Sequence, residues 1–362
     1  MTVRAQFGIL FGLALLFPSL QAASQPPTID LAKFGYTKTY SGRYTVPAFA
    51  SLSYVGEDAL FITFPMDRKF ASYGQPFNYV ALVLSRAGMQ IGRAEISGTY
   101  DDVLQRRINL QPLSNVLARV RDQLRIYSLD LATYRSIDLA PDPQLRVPPD
   151  RKTVVVISKD GNKAMNRITA ISDLQTHVDH LDFDERAVRD GLLAVSNEGS
   201  VAHAVSDPGA ELAVHSWSLR WPEFQIGKYQ KPMAFIQNDE LLVNAMETTP
   251  FSPTKMYLWK ADGTSRKVRG SEAGFYTSAK SSLDGKRVLV TQTNVSFFGA
   301  MLGGFDCGDC GESYYYSIVD ASSAKVILKH RQNWNCTEAL SPSGKELAEL
   351  CDGTVRFYPV PN

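Results

Sequence analysis

The sequence predicts an all-β chain of one domain, assembled from small antiparallel sheets that repeat along its length. Three observations carry this. Short apolar runs at strand spacing end at Gly, Pro, Asn, Asp or Ser throughout the chain. Strands alternate with turns and not with helical patterns, which argues against an α/β fold. One strand–turn–strand unit recurs, and its clearest copy lies at the C-terminus.

That copy runs from Trp334 to Tyr358. A strand over Cys336–Leu340 meets the turn Ser341-Pro342-Ser343-Gly344-Lys345, then a second strand over Glu346–Cys351, then Asp352-Gly353 and a third strand to Tyr358. Pro342 presets φ for a turn and Gly344 supplies a positive φ. Counting outward from the turn sets Leu340 opposite Leu347 and Cys336 opposite Cys351. Directly opposed residues of an antiparallel pair lie within reach of a disulfide, so Cys336–Cys351 is expected. The same register sets Glu338 opposite Glu349, a like-charge pairing that needs water or a cation to relieve it.

The earlier units follow in order. The first has strands over Phe49–Val55, Ala59–Phe64, Tyr79–Leu84 and Met89–Ile96; the second over Ile108–Leu113, Val116–Val120, Leu124–Leu129 and Tyr134–Leu139. A proline-rich linker, Ala140 to Pro149, precedes a strand over Thr153–Ser158. Residues 171–190 are polar and poorly periodic, which predicts a short helix or a long loop. Short strands resume over 191–217, then over Met233–Val268 and Phe275–Leu328. Anchored on Glu57, Ser114, Asp160, Asp207, Asp239, Asp284 and Ser343, the units follow at gaps of 57, 46, 47, 32, 45 and 59 residues; repeats of roughly 40–50 residues are the signature of four-stranded β-propeller blades. Seven blades are expected, with six the alternative count. The last unit lacks a fourth strand, and an orphan strand between Thr28 and Tyr44 is expected to supply it and close the ring.

Of the 362 residues, 38 are basic and 37 acidic, a balance that gives no footing to nucleic acid or an anionic membrane as partner. Arg4, the apolar run Phe7–Leu16 and the small residues before Ala23 have the layout of a secretory signal. The division expected is therefore a signal peptide over 1–22 and one propeller domain over 23–362, periplasmic or secreted. No later segment is long and apolar enough to span a bilayer. Four cysteines in such a compartment fit two disulfides, the second joining Cys307 and Cys310. Metal ligation and redox chemistry are the other readings of Cys307-Gly308-Asp309-Cys310, although no helix start is expected there to lower a thiol pKa.

The C-terminal unit resembles the WD40-like and YVTN-type β-propellers of secreted bacterial proteins. The residues that carry the resemblance are Ala339-Leu340-Ser341-Pro342-Ser343-Gly344-Lys345-Glu346-Leu347-Ala348 with Asp352-Gly353-Thr354-Val355-Arg356-Phe357-Tyr358. Weaker echoes are Ser282–Leu289 and Ser158–Lys163. The Trp-Asp and Gly-His pairs of that family are absent from the sequence. The resemblance implies a fold whose members are mostly scaffolds and ligand binders, with enzymes in the minority.

Four of the five histidines fall between 177 and 215. His177, Asp179, His180 and Asp182 form the candidate metal group, with a divalent ion as ligand. On a strand, however, positions 177 and 180 point to opposite faces, and only a helical turn or loop brings them together. Asp182-Phe183-Asp184 does not continue as a calcium loop, because Arg186 takes the next ligand position. Glu338 is expected on the innermost strand of its blade, near the central channel, as a solvated carboxylate. The sequence holds no Gly-rich phosphate loop, Gly-x-Ser-x-Gly elbow or His-Glu-x-x-His. The function these features favour is a monomeric, non-enzymatic module that binds a protein or small ligand on one end of its ring, with no cofactor. The alternative is a metal-assisted hydrolase or lactonase-type propeller using channel carboxylates and histidines.

Overall fold

In a computed structural model of the chain, aspartates shape the turns. Asp30, Asp130, Asp150, Asp262, Asp284 and Asp320 each accept a hydrogen bond on Oδ1 from the backbone N–H two residues on, at 2.9–3.0 Å. Gly56, Gly88, Gly263, Gly285 and Gly344 take the positive φ that the turns need. The structure describes residues 27–362 apart from 38–39, 42–43, 46–49, 67–75, 100–109, 113–115, 121–122, 140–143, 160–165, 173–174, 182–192, 198–199, 205–210, 217–223, 229, 237–239, 247–253, 272–274, 296–311 and 333–335.

Between these turns the described residues form seven four-stranded antiparallel sheets. The first comprises Ser51–Tyr54, Ala59–Pro65, Pro76–Ser85 and Gln90–Thr99. The second comprises Leu110–Pro112, Val116–Val120, Gln123–Tyr127 and Tyr134–Asp138, and the third Gln144–Arg146, Thr153–Lys159, Asn166–Ser172 and Gln175–Leu181. The fourth holds Leu193–Val195, Ser200–Ala204, Glu211–Ser216 and Phe224–Lys228; the fifth Gln230–Ile236, Glu240–Met246, Thr254–Lys260 and Ser265–Lys267. The sixth runs from Phe275–Ser281 through Arg287–Val295 and Glu312–Asp320 to Lys325–Gln332. The seventh uses Cys336–Leu340, Glu346–Cys351 and Thr354–Pro359, and its outer strand is Thr28–Asp30. A minor two-stranded piece pairs Tyr40–Ser41 with Tyr44–Thr45.

Two stretches differ from the sequence expectation. Gln144–Arg146, inside the supposed linker, is the first strand of the third sheet. Gln175–Leu181, expected as helix or loop, is that sheet's fourth strand. Both were hidden for the same reason: an edge strand needs few apolar residues, and prolines flank the first. The frame shifts accordingly. The strand breaks after the first strands of the third and fourth sheets fall at 147–152 and from Ser196 on, so Asp150 and Asn197 are the proper anchors in place of Asp160 and Asp207.

Neighbouring sheets share apolar cores. The seventh and first join through Leu52, Tyr54, Ile62 and Phe64 with Ala348, Leu350 and Phe357. The first and second join through Val55, Phe61 and Ala81 with Val116 and Tyr127, and the second and third through Leu124 with Val154 and Val156. Leu241 and Val243 of the fifth sheet pack on Ala194 and Ala202 of the fourth. The fifth and sixth share Leu242, Leu258, Val288 and Val290, and the sixth and seventh share Leu289, Ile318, Leu340 and Leu347. Between the third and fourth, the Asp150 N–H donates to Asn197 Oδ1 at 2.8 Å.

The N-terminal segment seals the join between last and first sheets. Thr28, Ile29 and Asp30 pair with Arg356, Val355 and Thr354. The Leu31 N–H then donates to the Gly353 carbonyl at 2.8 Å. A single 3₁₀ turn, Leu31–Phe34, follows, capped by the Asp30 carboxylate and ended by left-handed Gly35. Ile29, Leu31 and Tyr36 are buried in the shared core, and the Tyr36 ring meets Phe64 edge-on at 5.4 Å. Polar groups finish the join: Tyr54 OH donates to Glu346 Oε1 at 2.9 Å, Arg86 pairs with Glu346, and Ser343 Oγ donates to Glu57 Oε2 at 3.0 Å.

Cys336 and Cys351 are directly opposed and joined as a disulfide, with Cα atoms 4.5 Å apart. Replacing both by alanine is expected to lower stability by about 2 kcal/mol, because the bond closes a short loop that the hairpin already orders. Urea denaturation of the double variant checks this, and coincident midpoints would refute it. Cys307 and Cys310 lie outside the described residues.

Candidate functional site

The first strand of each sheet is the innermost. Residues from six of the seven inner strands, or from the turns that follow them, line one cavity of about 320 Å³ on the axis of the ring. The first sheet contributes Ser51 to Tyr54, the third Arg146 to Pro149 and Arg151, and the fourth Ala194 and Val195. The fifth contributes Met233 to Phe235, the sixth Ala279 to Ser281, and the seventh Thr337, Ala339 and Leu340. The wall is thus mixed: alanine, proline and aromatic surface, several hydroxyls, and three cations. No carboxylate is among the lining residues.

The cations arrive from two sides. Arg146 ends the inner strand of the third sheet, and one guanidinium N–H donates to the Leu145 carbonyl at 2.8 Å. Arg151 sits at the end of the turn that follows, where its N–H donates to the Pro148 carbonyl at 3.0 Å. Its φ of 57° is left-handed, a conformation that costs a non-glycine residue about 1 kcal/mol. Lys280 reaches in from the sixth sheet, and its side chain is open to the cavity. The protein surrounding it removes bulk water and lowers its pKa; Glu338 opposes that shift, and the charge of Arg151 adds to it. Burial likewise lowers the pKa of Arg151. Among the described residues neither Arg151 nor Lys280 has a carboxylate within 4 Å.

Behind the wall lies an acidic pair. Glu338 and Glu349 face each other across the seventh sheet at 7% and 4% exposure. Glu338 is buried, not solvated as its sequence position suggested. Its Oε1 has no hydrogen-bond partner among the described residues, whereas Glu349 accepts from Tyr358 OH at 3.2 Å. Desolvation above all, then the charge of Glu349, pushes the Glu338 pKa up to about 8, against the pull of Lys280. Glu338 therefore holds a proton at neutral pH, and that proton relieves the like-charge pairing. The Tyr316 hydroxyl is also pushed upward by burial and by the neighbouring carboxylates, with His330 stacked on its ring at 5.1 Å.

The residues singled out as metal ligands lie elsewhere. His177, Asp179 and His180 occupy the outermost strand of the third sheet, in register with Ala170, Ile168 and Arg167. Strand alternation gives positions 177 and 179 one face and position 180 the other. Asp182 lies outside the described residues. One His/Cys/Asp/Glu group among the described residues comes within ligating distance, Cys336 with Glu349 and Cys351, but its two sulfurs are spent in the disulfide.

Sequence reasoning missed Arg151 and Lys280. A lysine in a strand and an arginine after an Asp in a turn read as solvated surface. One signal was present. Ser282 and Ser341 open equivalent turns, their N–H groups bonded to the Arg287 and Glu346 carbonyls. Superposing the two turns sets Lys280 where the last unit carries Ala339, a charge at an inner-strand position.

No protein-family model matches the sequence, and no curated protein matches it. Solved structures do match in fold. An oligogalacturonate lyase in complex with manganese is similar at 10% identity and a TM-score of 0.52, over 93% of this chain and 98% of its own. Hydrazine synthase of Kuenenia stuttgartiensis is similar at 11% identity and a TM-score of 0.51, over 90% and 99%. The WD40 domain of Neurospora crassa Pan2 is similar at 10% identity and a TM-score of 0.46, over 87% and 89%. Identities this low bear on fold alone, and the fold of this chain is that of the β-propellers.

Proposed function

We propose that this chain is an extracytoplasmic binding module that takes a small ligand in its axial cavity. The observation that carries the reading is the cavity itself: about 320 Å³, at the small end of ligand pockets, with inner residues of six sheets converging on it and polar groups interleaved with apolar ones. Export is supported by the Cys336–Cys351 disulfide and by the leader-like residues 1–22. The hydrolase reading asks His177, Asp179, His180 and Asp182 to converge, and two of those positions sit on opposite faces of one outer strand.

A thermal-shift screen of small metabolites, with each hit recovered and weighed by mass spectrometry, tests the proposal. A saturable hit recovered unchanged, and lost in the cavity-filling variant Thr337→Trp, is the expected result. A hit that is consumed, or one that binds Thr337→Trp equally well, would overturn it.

A further inference from the structure

Each charge on the cavity wall has the same sign, in a chain whose net charge is only +1. We propose that the axial cavity is an anion site, in which Arg151 and Lys280, with Arg146 on the same wall as Arg151, hold the carboxylate or phosphate-type oxyanion of a small ligand. The proposal rests on the reading that the ligand sits in this cavity, and it names the ligand's chemical class.

Three observations converge on it. The first is the missing counter-charge. Arg151 and Lys280 come from sheets on different sides of the ring and close enough for each to sense the other, yet neither has a carboxylate within 4 Å among the described residues. Arg151 is half-buried and Lys280 is open to the cavity, and two cations facing one cavity without a partner each raise the other's cost. An anion between them removes that cost. The acid whose charge bears on Lys280, Glu338, is buried and is not among the lining residues.

The second is the backbone of Arg151. Glycine is the residue suited to φ 57°, and an arginine held there gives up stability. The turn is pinned at both ends, by the Arg151 N–H on the Pro148 carbonyl and by the Asp150 N–H on Asn197 of the next sheet. This fixes the point from which the guanidinium enters the cavity before any ligand arrives, which is what an oxyanion site requires. The third is the rest of the wall. Ser281 and Thr337 carry hydroxyls that suit oxyanion oxygens, and no lining group repels one. The volume suits a small molecule and not a polymer.

Isothermal titration of the full mature chain with inorganic phosphate, with succinate and with neutral glucose decides the matter, in parallel with Arg151→Gly and Lys280→Met. Phosphate or succinate is expected to bind and glucose not to. Each single substitution is expected to weaken anion binding about tenfold, and the pair about a hundredfold. Lys280→Arg should retain binding. Arg151→Gly relieves the backbone strain, so a thermal midpoint at or above that of the parent is expected beside the lost affinity, which separates a ligand contact from a structural role. Phosphate against succinate distinguishes the two oxyanion types. Glucose binding without either anion would overturn the anion class and leave the cavity reading standing. Anion binding unchanged in the double variant would overturn the assignment of the anion to Arg151 and Lys280.

Discussion

Replacing Gly353 by alanine is expected to destabilise the protein by about 3 kcal/mol or more and to release the N-terminal segment. Two effects add. Gly353 has a φ of 79°, which costs an alanine about 1–2 kcal/mol. A Cβ there would also lie 2.4 Å from Tyr36 Cδ1 and 2.6 Å from Cε1, inside the ring that packs the segment onto Phe64. Overpacking of that kind costs roughly 1–3 kcal/mol when the neighbour is confined. Tyr36 can yield only by moving the chain that holds Thr28–Asp30 on the outer edge of the seventh sheet. Loss of amide protection over residues 28–36, together with a lowered denaturation midpoint, is the expected result. Unchanged protection there would show that the segment does not depend on Tyr36. Gly35→Ala makes a useful comparison: φ is equally unfavourable, but nothing lies within 4 Å of the added carbon, so only the backbone cost should appear.

The second large effect concerns pH. Glu338 ionises at about 8 in the folded protein and near its ordinary carboxyl value when unfolded. Between those values the folded state holds a proton that the unfolded state has released. The stabilisation linked to that proton is therefore complete below the unfolded pKa and declines as pH rises towards 8, after which it levels off. The loss is on the order of a few kcal/mol for this burial. Glu338→Gln has nearly the shape of the protonated acid and nothing to release. It should match the parent near pH 5 and exceed it near pH 8.5. The charged and titratable neighbours are Glu349 across the strand pair and Lys280 and Tyr316 of the sixth sheet. Glu349→Gln should accordingly shift the parent's transition to lower pH. Denaturation curves across pH 5–9 check both variants, and parallel profiles for parent and Glu338→Gln would rule the account out.

The fold was legible where structure is local. Ser341–Lys345 announces its turn by residue type, and the register it dictates carried Cys336 to Cys351 and Glu338 to Glu349 over the whole hairpin. The outer strand of the seventh sheet was legible by subtraction, because a third strand with an open edge needs a fourth. Gln144–Arg146 and Gln175–Leu181 were not, because edge strands are specified by the sheet they join more than by their own side chains. The site was the least legible part. Residues 151 and 280 are far apart in sequence and meet only because the ring sets the third and sixth sheets around one axis. No local pattern encodes that meeting. The histidine group shows the converse: closeness in sequence gave it prominence, and a regular strand divides it.

The seating of Thr28–Asp30 beside Thr354–Pro359 also governs how the polypeptide matures. Thr28–Asp30 pairs with a strand more than 320 residues later, so the seventh sheet cannot be completed until the chain has been made through residue 359. Until then the Thr354–Pro359 edge stands open, and the same three residues of a neighbouring copy would fit it as well as its own. Dilute refolding should therefore yield monomers, whereas crowded refolding favours exchanged pairs that trade their leading strands.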